Sequence, residues 1–465
     1  MIGLIKSGFL RSVKKKTVIF DRFAANVTDG SAAFGGAVGS AVLRVGETLC
    51  AKRLLNCDLS GGALRRGVGA SLYYTEKGVP VWDIPYSDVV RVVDVRCRAD
   101  GQRAERFLFV LADGTARLYD ERQRKIVGSV TVGADGNAVL LRSVAGEEKY
   151  LVAGGLGAYF LGADNMFTQA DYTDQTGIFC TCKNRLFLVK KGGVLAYSDP
   201  MTPWVLQESI DDGGVIVLPT RFGQPIALVA VGGYVYVFFV RAVMRLEVRG
   251  SGKEFSLEEI AYDGDTIVGG SVCAALENVV FLANDGVRVL RGRGIERLCE
   301  GVYPKVDLQG AVCNAAVAEG KYFVQYPHKD GGVRALAIDL DGENYCDVYE
   351  LLGLCGGDSG AFFLFDEQLL RIGGKELPVG AVCQFQSVDI DFGLCGKKNL
   401  RSIELVGEGN MVIDVVCDGK TLRHSVAFEN GRAILALNVR GERFSFVISL
   451  KKDACLRCVR AEIVA

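Results

Sequence analysis

The sequence has few of the residues and patterns on which many enzymes depend. Its 465 residues include only two histidines, His328 and His424. Neither has a serine, cysteine or carboxylate at the spacing of a nucleophile–base pair. No glycine-rich phosphate loop opens a helix, and no apolar stripe with helical spacing lasts three turns. We therefore expect no catalytic residue and no bound cofactor, and we do not expect an enzyme.

The chain also lacks net charge and long apolar segments. Its formal charge is −1, which provides no long-range field to attract nucleic acid. Residues 1–16 contain no uninterrupted apolar segment ahead of a cleavage site, so we expect no signal peptide. The longest apolar run, residues 226–240, is too short to span a bilayer. Because Gly232-Gly233 interrupts it, this run predicts two strands and a turn rather than a membrane span.

Cysteine is plentiful, but its distribution is not that of a disulfide scaffold. The 15 cysteines are an odd number spread along the whole chain, and several lie in strand-like runs, as Cys273 and Cys417 do. A buried thiol there serves as a small apolar side chain. Secreted disulfide-rich domains are shorter and denser in cysteine. We therefore expect reduced thiols and folding in a reducing cytosol.

Motifs for metal binding are weak. The Cys455-x-x-Cys458 pair has no second pair in a matching context, so we expect no zinc site. The acidic segment 339–347 resembles a calcium loop, but its glycine is at position 4 instead of position 6. A hairpin turn at Asp341-Gly342 explains this segment more simply. We expect no metal site.

What the sequence does contain is a long series of short strands. From residue 178 to residue 290, runs of four to seven residues rich in Val, Ile, Leu, Phe and Tyr alternate with tight turns. Turns such as Lys183-Asn184 and Gly232-Gly233 carry residues that tolerate positive φ. Hairpins of the same type continue in segments 107–120, 149–162, 320–340 and 360–374. Strands in sets of three or four without crossover helices predict an all-β fold with a β-propeller, and a stacked pair of sandwiches is the alternative.

A change of pattern near residues 374–378 predicts a domain boundary. Beyond it the strands are longer and alternate regularly. We predict an N-terminal arm and first strands over residues 1–70, a propeller over 71–375, and a small, jelly-roll-like β-sandwich over 380–465.

Three aromatic residues are the candidates for a structural or interaction site: Trp82, Trp204 and Tyr172. Trp204 ends the segment SDPMTPW, residues 198–204, where two prolines shape the turn. A large ring there can cover the open end of a blade, so we predict that Trp204 anchors the propeller. The alternative is that these rings are exposed on loops and take part in recognition.

Several segments resemble one family. Residues 183–204, KNRLFLVKKGGVLAYSDPMTPW, resemble a segment of the propeller proteins of tailed-phage necks and tails. Residues 213–248 and 259–290 continue the resemblance. Near the start, residues 53–74 are similar to the opening segment of such proteins, and residues 398–446 resemble their appended sandwich domain. The resemblance is one of pattern over most of residues 41–465, and none of its motifs is catalytic.

The resemblance implies a non-enzymatic virion structural protein of a phage or prophage. Such proteins include tail nozzles and packaged-DNA stabilisation proteins, which form rings in the neck or tail. The implied partners are further copies in a homo-oligomeric ring and the adjacent portal, adaptor or tail proteins. DNA would pass through the ring transiently and without specific binding, which a near-neutral charge suits. Two alternatives stay open: a propeller that recognises a host glycan or protein, and a propeller-fold hydrolase or lyase.

Overall fold

The computed structural model describes residues 15–25, 47–67, 69–72, 86–96, 98–99, 102–103, 106–172, 174–206, 212–299, 302, 304–309, 313–342, 344–357, 360–365, 368–374, 377–378 and 380–464. By its internal contacts the chain divides into two compact units. One combines residues 1–67 with residues 379–465, and the other is residues 68–378. Over the described ranges, no helix has the length and apolar character needed to cross a membrane.

The secondary structure is almost all strand. The first strands are β1 (Lys15–Ala25), β2 (Glu47–Leu55), β3 (Cys57–Asp58) and β4 (Leu64–Arg66). The next thirty are β5 (Ala70–Leu72), β6 (Val89–Asp94), β7 (Arg98–Ala99), β8 (Gln102–Arg103), β9 (Arg106–Leu111), β10 (Thr115–Asp120), β11 (Lys125–Thr131), β12 (Asn137–Arg142), β13 (Glu148–Gly154), β14 (Gly157–Leu161), β15 (Phe167–Gln169), β16 (Gln175–Cys182), β17 (Arg185–Lys190), β18 (Val194–Tyr197), β19 (Gly214–Val217), β20 (Ala227–Val231), β21 (Tyr234–Phe238), β22 (Val243–Glu247), β23 (Ser256–Ile260), β24 (Cys273–Ala275), β25 (Asn278–Ala283), β26 (Gly286–Arg291), β27 (Gly294–Arg297), β28 (Asn314–Ala318), β29 (Lys321–Pro327), β30 (Val333–Asp339), β31 (Tyr345–Asp347), β32 (Leu352–Gly357), β33 (Gly360–Phe365) and β34 (Gln368–Ile372). The last are β35 (Cys383–Ser387), β36 (Lys398–Glu408), β37 (Asn410–Cys417), β38 (Lys420–Ala427), β39 (Arg432–Gly441), β40 (Phe444–Leu450) and β41 (Cys455–Val464). The helices in the described part are single 3-10 turns at Ser60–Gly62, Tyr86–Asp88, Thr220–Phe222, Gly252–Glu254 and Gly269–Ser271.

Residues 68–378 form a β-propeller. Six separate four-stranded antiparallel sheets are blade 1 (β6, β9, β10, β11), blade 2 (β12–β15), blade 3 (β16–β19), blade 4 (β20–β23), blade 5 (β24–β27) and blade 7 (β32–β34 with β5). Strands β28–β31 pair in the same antiparallel order and make blade 6, so the described residues contain seven blades. The innermost strands β6, β12, β16, β20, β24, β28 and β32 contact one another in turn, and β32 contacts β6. The predictions of an all-β fold and of a propeller are confirmed.

The ring is closed by a strand from the beginning of the propeller sequence. Strand β5 forms the outer edge of blade 7, where Leu72 pairs with Leu370 and Ala70 pairs with Ile372. The Gly373 N–H extends this ladder by donating to the Gly69 carbonyl at 3.0 Å. Blade 7 therefore combines strands from both ends of the propeller sequence, and separation of β5 from β34 would open its outer edge.

Tight turns between the strands of each blade follow the sequence pattern. Lys183 and Asn184 both have positive φ, 48° and 61°, and connect β16 to β17. Gly232 and Gly233, at 59° and 84°, connect β20 to β21 in the same way. Two successive residues of positive φ match the right-handed twist of the flanking strands.

Aromatic and aliphatic side chains fill the spaces between blades. Between blades 4 and 5, the rings of Phe238 and Phe281 pack edge to face with centroids 5.2 Å apart. Both side chains are fully buried, as is Val279 beside them. Each blade thus covers the apolar face of the next, which is why a ring needs all its blades.

In the other unit, strands β1–β4 and β35–β41 form one continuous sheet. Its strand path is β38-β37-β40-β35-β2-β1-β41-β36-β39, in which β1 and β2 are parallel and the other pairs antiparallel. The end strands β38 and β39 are joined by the short turn 428–431, so the sheet must fold back on itself. Buried residues alternate along β37 and β40, as a sheet with one covered face requires.

The jelly-roll-like sandwich over residues 380–465 stays a prediction. In the structure, β35, β37, β38 and β40 form one group and β36, β39 and β41 form another. The two groups are connected through β1 and β2, which come from the N-terminal part of the chain. Of the strands in residues 1–70, β1 and β2 are therefore central strands of this sheet.

The role of β5 leads to a test on two fragments. Residues 68–378 should unfold cooperatively, and residues 74–378, which lack β5, should have a lower thermal midpoint. The loss of the β5–β34 hydrogen bonds should cost about 1–3 kcal/mol of unfolding free energy. Circular dichroism melts of the two fragments would measure this difference. Equal midpoints would contradict the role of β5 in closing the ring.

Candidate functional site

A cavity of about 980 Å³ lies among the innermost strands of the propeller. Apolar side chains make most of its wall, including Ile178 of blade 3, Leu228 of blade 4 and Leu354 of blade 7. Segments 266–270 and 306–308, which connect successive blades, complete the wall. The volume and the apolar wall are those of a pocket for a small molecule.

Arg91 of β6 is the one arginine or lysine among the described residues that line this cavity. Its Nε donates to the Asn314 side-chain oxygen at 3.3 Å, and its Nη1 donates to the Gly136 carbonyl at 3.1 Å. The Asn314 amide in turn donates to the Val90 carbonyl at 2.9 Å. These bonds link blade 1 to blades 2 and 6. We call them the Arg91–Asn314 clasp.

The innermost strand of blade 7, β32, lies between blades 6 and 1, two of the blades that the clasp joins. Gly353 has a φ of +66°, and a Cβ there would lie 3.2 Å from the Val92 side chain. At Gly356, a Cβ would lie 3.5 Å from the Ala316 side chain. The positive φ and the tight contact favour glycine at position 353, whereas a Cβ at position 356 would make an ordinary contact.

Two carboxylates also line the cavity, and both accept hydrogen bonds from the backbone. Asp135 accepts from the Gly155 N–H through both oxygens, each at 3.0 Å. Asp307 accepts from the Gln309 N–H at 3.0 Å. No histidine is found among the described residues of the wall. Each carboxylate fixes a turn in this arrangement.

Three cysteines of consecutive blades face the same cavity. Cys273 belongs to blade 5, Cys313 precedes the first strand of blade 6, and Cys355 belongs to blade 7. All are free thiols, as are the other cysteines of the described residues. Burial raises the pKa of each thiol, to about 12 for Cys313, and Arg91 opposes part of the rise. The thiols are therefore protonated at neutral pH.

The aromatic candidates Tyr172 and Trp204 lie together at the outer part of blades 2 and 3. The Tyr172 hydroxyl donates to the Trp204 carbonyl at 2.8 Å, and burial raises the pKa of this hydroxyl. Trp204 is half-buried against a core that includes Leu186 and Leu188. The Lys149 ammonium lies 4.6 Å from the centre of its ring. One face of the indole is therefore occupied within the chain itself.

Residues of the segment 183–204 fix the loop that carries Trp204. Ser198 is fully buried, and its hydroxyl accepts from the Leu186 N–H at 2.8 Å. Buried Arg185 donates to the Ser198 carbonyl at 2.9 Å and forms an ion pair with Asp212. Asp199 accepts from the Met201 N–H at 2.6 Å. The charged and polar residues of this segment thus hold a loop in place.

The same loop exposes apolar side chains. Met201 is 57% exposed, and Val144, on the neighbouring loop of blade 2, is also 57% exposed. The two loops are adjacent, because the Val144 N–H donates to the Pro200 carbonyl at 3.3 Å. We call Val144, Met201 and the partly exposed Val205 the Met201 surface. Sequence analysis missed this surface, since isolated apolar residues in loops carry no pattern.

The remaining candidates have local explanations or lie outside the described residues. His328 is buried, and its Nδ1 accepts from the Asp330 N–H at 3.1 Å. His424 lies on strand β38. In segment 339–347, Asp339 forms an ion pair with Lys321, and Gly342 provides a turn of positive φ. Trp82 lies outside the described residues.

The cavity thiols make stability depend on alkaline pH. Folding keeps the Cys313 thiol protonated above its ordinary pKa of 9.0, whereas the unfolded chain ionises there. The contribution of this thiol is therefore fully present below pH 9 and is lost as pH rises toward 12. Between pH 8 and pH 10, the wild-type protein should lose about 1.4 kcal/mol more unfolding free energy than Cys313→Ala.

Urea denaturation at the two pH values would measure this difference. Cys395→Ala is the matched control, because Cys395 is exposed and its loss should not change the pH dependence. An identical loss in the wild-type protein and Cys313→Ala would contradict the assignment.

Trp204→Ala should destabilise the propeller by about 2–3 kcal/mol, less than a fully buried tryptophan because the ring is half-exposed. Trp204→Phe should keep most of the stability, since a smaller ring still packs on the core. Chemical denaturation would measure both. A Trp204→Ala protein of unchanged stability would mean that the ring serves recognition.

Comparisons with known proteins yield only distant likenesses. No protein-family model matches the sequence, and no curated protein matches it. Among solved structures, the Pan2 WD40 domain of Neurospora crassa has a TM-score of 0.40 and 12% identity, over 66% of this chain and 95% of that chain. The RRP9 WD40 repeats have a TM-score of 0.40 and 11% identity, over 62% and 94%. Virginiamycin B lyase from Staphylococcus aureus has a TM-score of 0.39 and 7% identity, over 61% and 98%.

Proposed function

We propose that this chain is a non-enzymatic structural protein of a phage or prophage virion, assembled as a homo-oligomeric ring in the neck or tail. The support is that the segment most similar to that family, residues 183–204, uses its polar residues to build a rigid loop. Buried hydrogen bonds of Arg185 and Ser198 hold the start of the loop, and Asp199 accepts a hydrogen bond within its turn. Rigid loops on a closed β-scaffold suit contact between subunits.

The observation that carries the proposal is the Met201 surface. Val144 and Met201 expose more than half of their side-chain area on two adjacent, fixed loops. Exposed apolar residues that are held side by side are typical of contact surfaces between proteins. In the proposed ring, this surface binds the next copy of the chain, and other surfaces bind portal, adaptor or tail proteins.

In this proposal, DNA passes through an opening between the copies of the assembled ring and not through the centre of one propeller. The central cavity is the size of a small-molecule pocket, and the Arg91–Asn314 clasp bridges blades beside it. An opening for a DNA duplex must therefore lie between copies. The net charge of −1 suits a transient passage without specific binding.

A binding module for a host protein or glycan is the second candidate, and the same surface favours a protein over a glycan. Glycan recognition needs an open aromatic face, whereas the Trp204 ring is half-buried and has Lys149 over it. A hydrolase or lyase has less support, because Asp135 and Asp307 are engaged by backbone N–H groups.

Size measurement and electron microscopy of the purified full chain test the proposal. The wild-type protein should form rings at high concentration, and Met201→Glu should prevent them because it places a charge in the contact. Val217→Glu is the matched control: Val217 is 72% exposed and lies at the opposite end of blade 3. A wild-type protein that stays monomeric, or a Met201→Glu protein that still forms rings, would contradict the proposal.

A further inference from the structure

The central cavity holds a positive charge that no carboxylate neutralises directly. Among the described residues, Arg91 forms no ion pair within 4.0 Å. Its hydrogen-bond acceptors are neutral: the side-chain oxygen of Asn314 and the backbone carbonyls of Gly136 and Asp135. Its Nε and Nη1 make these bonds. Nη2 has no acceptor among the described residues, so a donor pair of the guanidinium is available.

The surroundings strengthen the attraction of Arg91 for an anion. The wall is mostly aliphatic, and a charge acts more strongly beside such a wall than in water. Two carboxylates of the same wall, Asp135 and Asp307, oppose this attraction, and the Asp135 backbone carbonyl lies 3.5 Å from the Arg91 Nη1. Each already accepts backbone hydrogen bonds, which spread part of its negative charge.

We propose that the cavity binds a small organic monoanion, with its carboxylate on the free side of the Arg91 guanidinium and its apolar body along the aliphatic wall. The volume of about 980 Å³ accommodates a ligand of this class. Arg91 is the one cation of the described wall, so we expect a ligand with a single negative charge. A carboxylate fits best, because a planar guanidinium pairs well with a planar carboxylate. This ligand site goes beyond the structural role proposed above and does not depend on ring assembly.

Octanoate is a suitable probe, and octanamide is its neutral counterpart of the same length. Calorimetry on the full chain should find one octanoate site, with octanamide about 10- to 100-fold weaker because it lacks the charge-assisted bond. Arg91→Gln should weaken octanoate by a similar factor. Arg91→Lys should bind octanoate more weakly than the wild type but more tightly than Arg91→Gln, because an ammonium keeps the charge without the planar pair of donors. Asp135→Asn should tighten binding, because it removes a repelling carboxylate.

Thiol labelling locates the bound probe. Cys273 and Cys355 are half-buried on the cavity wall, so saturating octanoate should slow their labelling. Cys395 is exposed on the other unit of the chain and should be labelled at an unchanged rate. Equal binding of octanoate and octanamide, or absence of octanoate binding, would overturn the proposal. Binding without protection of Cys273 and Cys355 would place the ligand elsewhere and would also overturn it.

Discussion

The closure of the ring through blade 7 is the constraint on which the propeller depends. A ring of blades buries its apolar faces only when the last blade meets the first. Here, closure uses strand β5 on the outer edge of blade 7 and the Arg91–Asn314 clasp near its inner edge. Between them, Gly353 of β32 packs closely against Val92 of blade 1. The clasp near the centre and the β5–β34 pairing at the outer edge thus both stabilise the closure at blade 7.

The clasp also explains why the central cavity has its particular chemistry. An arginine that reaches across a junction must leave the apolar layer of its own blade and enter the shared space at the centre. Its acceptors, the Asn314 side chain and the Gly136 carbonyl, are neutral, and Arg91 forms no ion pair among the described residues. The same side chain therefore serves closure and gives the cavity its polarity.

Much of the propeller is readable from sequence because its signals are local. The turns at Lys183-Asn184 and Gly232-Gly233 need positive φ, which the residue types reveal. Pairings over long distances leave no such signal: β5 is three residues long, and its partner β34 lies at the other end of the propeller. For the same reason, neither the union of β1 and β2 with β35–β41 nor the meeting of Arg91 with Asn314 could be predicted. Tyr172 and Trp204 lie at a loop of blade 3, whereas the cavity is lined by residues with no common sequence motif.

The discontinuous sheet has a consequence for biosynthesis. Strands β1 and β2 leave the ribosome before the propeller, but β35 and β41, which pair with them, follow the whole propeller. At ordinary elongation rates, translation of residues 68–378 takes roughly 15 to 60 s. During that interval the early strands have open edges, while the propeller can complete its own ring. Chaperone protection of the nascent N-terminal strands would then matter more for yield than the intrinsic stability of either finished unit.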